Sequence, residues 1–186
     1  MSDNPTESLP VAAAERAPRY WRNVVLFIGV LTVGRIIALF ASPLDLYPDE
    51  AQYWLWSRAF DFGYFSKPPM VAWLIGLTTA FSSDEPFVRL ASSMMHAVAA
   101  LALFGAGRRL YGPAAGALAA VIYALMPGVQ LSSFVIATDA PLLAFLSLAI
   151  LAYAELQSAE GRRALIAAHP SSARAITSFC TSVVPS

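Results

Sequence analysis

Residues 24–40 read VVLFIGVLTVGRIIALF, and this run decides the class of fold. At ~1.5 Å per residue, a helix over it crosses most of a hydrocarbon core. Arg16, Arg19 and Arg22 precede the run and Pro43 closes it. Residues 1–20 are polar, with Asp3, Glu7 and Glu15 among the arginines, and contain no apolar h-region. No small-residue cleavage site follows, so the run reads as a retained transmembrane helix rather than a secretory signal.

The rest of the chain has the same character. Of its 186 residues 58% are hydrophobic and 13% charged, with a mean hydropathy of +0.59. Soluble domains carry about 25% charge, and a water-soluble fold of this length could not hide so much apolar surface. Net charge is zero, which removes the basic field that nucleic acid requires. The single Cys180 forms no internal disulfide, and no Cys/His spacing suggests zinc.

Further runs at residues 88–110, 114–130 and 141–155 predict three more spans. Residues 69–81 are apolar but too short to cross, and predict an interfacial or re-entrant helix. Between the first span and this helix lies PLDLYPDEAQYWLWSRAFDFGYFSKP, residues 43–68. There Pro48 starts a short helix over 49–60, with Asp49 and Glu50 at its positive end. Tyr53, Trp54, Trp56, Tyr64 and Phe65 suit a membrane–water interface. The expected fold class is therefore all-α: a polytopic membrane protein of about four transmembrane helices, with short interfacial helices in the first extracytoplasmic loop.

Basic residues set the expected orientation. Arg16, Arg19 and Arg22 place the N-terminus in the cytoplasm; Arg108, Arg109, Arg162 and Arg163 then also fall inside. Asp49, Lys67 and Asp139 fall outside, on one face. The expected organisation is a cytoplasmic tail over 1–20, a membrane domain over 21–157 and a polar tail over 158–186.

Charge is scarce, so its positions matter. Asp49 and Glu50 stand in an aromatic setting that partly desolvates a carboxylate and suits it to accept a proton; equally, they cap a helix. Lys67, the sole lysine, lies at headgroup level in SKPP, placed to hold a lipid phosphate or to anchor a helix by snorkelling. Arg58 is a second cation suited to phosphate, or an anchor. Asp139, in ATDAP, is an acid at the mouth of the fourth span, or its cap. Arg35, mid-span, calls for an acidic partner on another helix. Arg89 reads as an anchor and His96 as a polar interhelical contact. Gly105, Gly107 and GPAAGALAA read as close helix packing, not a phosphate loop.

The series YPDEAQYW, GYFSKPPMVAWLIG, VRLASS, RRLYG, ALMPGVQLSS and TDAPLL, over about residues 20–157, resembles the N-terminal part of bacterial members of the protein mannosyltransferase-like superfamily. These GT-C glycosyltransferases include lipid A aminoarabinose transferases and the galacturonic acid transferases of rhizobial lipopolysaccharide. The resemblance implies a multi-pass enzyme of the bacterial inner membrane that moves a sugar from a polyprenyl-phosphate donor to a lipid, lipopolysaccharide or protein acceptor at the periplasmic face. It maps the catalytic acids onto Asp49 and Asp139, and substrate binding onto Glu50, Arg58 and Lys67, with Lys67 on the donor phosphate. No cofactor is fixed by it. A divalent cation stays open, although Ser66 stands where the aminoarabinose enzymes carry an acidic residue that binds metal.

After the fourth span the sequence departs from the family pattern, becoming ALIAAHPSSARAITSFC. This predicts a truncated or frameshifted product, inactive as a fragment, whose residues after about 163 are foreign to the fold. Two rivals stand beside the transferase: a small non-enzymatic membrane protein that binds lipid phosphate or a partner subunit, and a transporter fragment. A transporter would place its ionisable groups near the bilayer midplane, where only Arg35 and His96 lie.

Overall fold

A computed structural model describes residues 8–64, 67–157 and 163, with side chains from Arg19 onward. Among the described residues the regular structure is helical: α1 Ser8–Ala41, α2 Pro48–Ser57, α3 Met70–Thr78, α4 Glu85–Tyr111, α5 Pro113–Leu125, α6 Pro127–Ser132 and α7 Asp139–Gln157. Three segments are long and apolar enough to cross a membrane: Arg19–Ala41, Glu85–Tyr111 and Asp139–Gln157. The expected all-α membrane architecture is thus what the chain adopts. The tail expected over 158–186, and its suggested foreign origin, fall outside the described residues apart from Arg163.

One expected span differs. The apolar run over 114–130 is two helices, parted at Met126, whose ψ of 130° is extended. Pro127 is the cause: it lacks an N–H and pushes the residue before it out of the helical region. The 13 residues of α5 reach only about 20 Å, short of a ~30 Å core. Hydropathy reads through a proline that backbone geometry does not.

α4 is the hub, packing against α1, α3, α5 and α7. Phe40 meets Phe87 and Trp21 meets Phe104, so α1 runs antiparallel to α4. α5 turns back along α4 through Gly112, whose φ of 94° a side chain would disfavour. A Cβ at Gly107 would lie 2.7 Å from the Gly116 Cα, and one at Gly116 would lie 2.6 Å from the Phe104 carbonyl. The small residues therefore set backbone-to-backbone packing of α4 on α5, as their spacing predicts. α7 runs parallel to α4: Gly105 packs on Leu151, and Arg109 pairs with Glu155 at 2.7 Å.

These directions sort the charge. Arg19, Arg22, Arg108 and Arg109 share one end of the bundle. Asp49, Glu50, Lys67, Arg89 and Asp139 share the other. Between them, Leu26, Val30, Val33 and Ile37 on α1 and Leu142, Phe145 and Leu146 on α7 stand exposed. A hydrocarbon solvent accommodates such faces; water would not.

Candidate active site at the acidic end of the bundle

The first turn of α2 organises this end. Pro48 occupies the start of the helix, where its missing N–H costs nothing. Glu50 reaches back so that its Oε2 accepts the Tyr47 backbone N–H at 3.0 Å. Its side chain is fully buried, and Arg89 of α4 grips it from the side, with Nη2 to Oε2 at 2.7 Å and Nε to Oε1 at 3.0 Å. The Ile136 N–H donates to the same Oε1 at 2.9 Å. Arg89 completes its own set by donating to the carbonyls of Leu44 at 3.0 Å and Asp45 at 2.8 Å. One buried ion pair thus ties together the chain before α2, α2 itself, α4 and the stretch ahead of α7. In a buried pair that is hydrogen-bonded on every side, mutual attraction and those bonds offset the desolvation cost of the two charges.

Asp49 is adjacent in sequence but about 100° away around the helix, and it is exposed. It lines a cavity of about 530 Å³ with Tyr47, Glu50, Tyr53, Leu131 and Ile136. Asp139, in the first turn of α7, is also exposed. It lines a second cavity, of about 310 Å³, with His96, Gly128, Ser132 and Leu142. The two candidate acids therefore share an end but not a cavity. The stretch 131–139 runs between the two spaces and contributes to both.

The two candidate cations lie further off. Lys67 is exposed, and the adjoining Pro68 lines an apolar slot of about 190 Å³ with Val71, Thr138 and Pro141. Arg58 caps the far end of α2, its guanidinium 5.8 Å from the centre of the Trp54 ring. The length of α2 separates it from Asp49 by about 13 Å along the axis. Of the five site residues expected from sequence, Asp49 and Glu50 meet at one cavity, Asp139 lines the neighbouring one, Lys67 adjoins the Pro68 slot, and Arg58 stands apart.

The aromatic residues expected as an interfacial belt also pin the loop ahead of Lys67. Tyr64 stacks on Trp56 with ring centres 5.1 Å apart, and its hydroxyl lies 2.6 Å from the Ala59 carbonyl. Trp73 donates from Nε1 to the Asp61 carbonyl at 3.1 Å. Phe65 and Ser66 fall outside the described residues, so the metal question attached to Ser66 does too. Among the described residues, no three His, Cys, Asp or Glu side chains gather as a metal would require.

Two buried polar residues further along complete the region. His96 makes the expected interhelical contacts, 2.9 Å from the Tyr123 hydroxyl and 3.0 Å from Ser132 Oγ. Arg35 corrects an expectation: among the described residues its partners are the Ala124 carbonyl at 2.9 Å and Gln130 Oε1 at 3.4 Å, not a carboxylate. The break at Pro127 explains this, because it frees the Ala124 carbonyl from its helical partner. Arg89, expected as an anchor, instead holds the buried Glu50; its place in VRLASS, on the same helix face as Ser92, Ser93 and His96, is the sequence signal for that role.

A membrane protein helical throughout its described residues, with Asp49, Glu50 and Asp139 gathered at one end, is the class that this fold and site define. The chain belongs to the dolichyl-phosphate-mannose-protein mannosyltransferase family, whose sequence profile matches residues 66–184, and so to the GT-C glycosyltransferase superfamily. It is 40% identical over 134 residues to the lipid A galacturonosyltransferase RgtD of Rhizobium johnstonii, a match covering 71% of this chain and 28% of that protein. The chain thus spans under a third of the length of this relative. No solved structure matches it.

Proposed function

We propose that the chain forms the acid-bearing part of a glycosyltransferase site that moves a sugar from a polyprenyl-phosphate donor to a lipid A-type acceptor at the periplasmic face of the bacterial inner membrane. The observation that carries this is the pair Asp49–Glu50. Two adjacent carboxylates have opposite fates, one sealed in an ion pair and one held out at a cavity.

In this reading an acceptor hydroxyl attacks the anomeric carbon of the donor, and the bond from that carbon to the polyprenyl phosphate breaks. Asp49 takes the hydroxyl proton as the new bond forms. Lys67 meets the negative charge that grows on the leaving phosphate, with Arg58 as a second cation reached by donor or loop movement. Asp139, at the neighbouring cavity, is the alternative base. Glu50, which the sequence offered as a substrate ligand, acts instead by positioning, because its carboxylate has no free surface. The basic residues at the opposite end support a cytoplasmic N-terminus. The lipid A acceptor rests on the RgtD relationship.

The test is mass spectrometry of lipid A and other envelope glycolipids from cells with and without the gene. A glycolipid that loses one sugar without the gene, and regains it with the wild-type gene but not with Lys67→Ala, supports the reading. Identical glycolipids with and without the gene refute it.

A further inference from the structure

α4 carries one polar stripe in its outer half: Arg89, Ser92, Ser93 and His96. These positions follow i, i+3, i+4 and i+7, which is a single helix face, and all four residues are buried. Hydroxyls in helices often bond back to their own helix, as Thr32 does to the Ile28 carbonyl at 2.7 Å and Ser133 to the Val129 carbonyl at 2.6 Å. Ser92 and Ser93 do otherwise. Ser92 donates across to the Ser132 carbonyl, and Ser93 to the Ser133 carbonyl at 2.7 Å. His96 adds the contact to Ser132 Oγ, and Arg89 holds the Glu50 carboxylate that takes the Ile136 N–H.

Ser92, Ser93 and His96 thus contact residues 132 and 133 directly, and Arg89 reaches Ile136 through Glu50. The stretch 132–136 is the end of a six-residue helix and the irregular chain that follows it. Its carbonyls have no helical partners, and irregular backbone in an apolar bundle persists only where such groups are satisfied. The same stretch walls the Asp49 cavity through Val135, Ile136 and Ala137, and it leads through Thr138 into Asp139.

We propose that Ser92, Ser93 and His96, in line with Arg89, are positioning residues that fix the wall shared by the Asp49 and Asp139 cavities. What the positioning serves rests on the transferase reading above; the fixing itself does not.

The test uses the chain in native membranes with Cys180→Ser and a reporter, Ala137→Cys, labelled by a membrane-permeant maleimide that reaches both faces. Ala114→Cys, at the arginine end, is the control. The double variant Ser92→Ala/Ser93→Ala should raise the Ala137→Cys labelling rate about tenfold and leave the control rate unchanged. Ser92→Thr/Ser93→Thr, which keeps the hydroxyls, should restore the slow rate. An unchanged Ala137→Cys rate in the alanine variant overturns the proposal. So does an equal rise at both reporters, which would mark general loosening. Should the double variant not accumulate, Ser92→Ala alone is read in the same way, with a rise of about threefold expected. In a transfer assay the alanine variant should lower kcat with donor KM unchanged, and a raised KM at unchanged kcat contradicts positioning. Absence of transfer in the unsubstituted chain counts against the transferase reading alone, since labelling needs no transfer.

Discussion

Among the described residues, an ion pair joins neighbouring elements at each end of the bundle, and the two pairs differ in almost everything except length. Arg109 and Glu155 meet at 2.7 Å with both side chains about 40% exposed. Arg89 and Glu50 meet at the same distance, with 5% and 0% exposed. The first pair sits in a high dielectric among arginines whose common side suits orientation in a membrane. The second is dry, hydrogen-bonded throughout, and ties the helix turn that bears Asp49 to the stretch that leads to Asp139. The contrast teaches that the arginine end uses charge as a label, whereas the acidic end uses it as a joint.

The sharpest way to break this contrast is to remove one partner of the buried pair. Glu50→Ala leaves Arg89 charged and uncompensated, and should cost roughly 3–5 kcal/mol. Thermal unfolding in detergent or nanodiscs should show a large fall in midpoint, or the protein should fail to accumulate. A midpoint equal to wild type would mean that the pair is not the joint described. Next in size is overpacking between α4 and α5. Gly116→Leu drives a side chain into the Phe104 carbonyl and should cost about 1–3 kcal/mol or more, measured in the same way. Because it lies near the arginine end, it should loosen the bundle without selectively freeing the 131–139 wall. Removing Glu155 should matter least. Glu155→Ala is expected to change stability by about 0–1 kcal/mol, and a loss as large as that of Glu50→Ala would erase the distinction between the ends.

Much of this was legible in the sequence. Pro48 followed by two acids announces α2, and the shortness of the 69–81 run announces α3. The alternation of arginine clusters with apolar runs announces which ends lie together. What was not legible has physical causes. Asp49 and Glu50 are neighbours with the same chemistry, and only the surface that α2 packs against decides which is sealed. Arg35 finds a carbonyl freed by a helix break, and carbonyls carry no letter in a sequence. The break itself hides inside an apolar run, since composition is blind to the hydrogen bond that Pro127 cannot make. The polar stripe of α4 is visible as spacing, but its purpose is set by residues some 40 positions away. The cavities are invisible for a similar reason, because they are spaces between segments distant in the chain.

The proposed division of roles leaves Asp49 exposed to react and Glu50 buried to hold it there. Its most direct measurement compares sugar transfer and thermal midpoint in Asp49→Asn. Transfer is expected to fall by about 10²–10⁴-fold with the midpoint unchanged, because an exposed carboxylate lost from a cavity wall removes a proton acceptor and little else. Full transfer by Asp49→Asn, with transfer abolished by Asp139→Asn, would assign the base to the other cavity and contradict it.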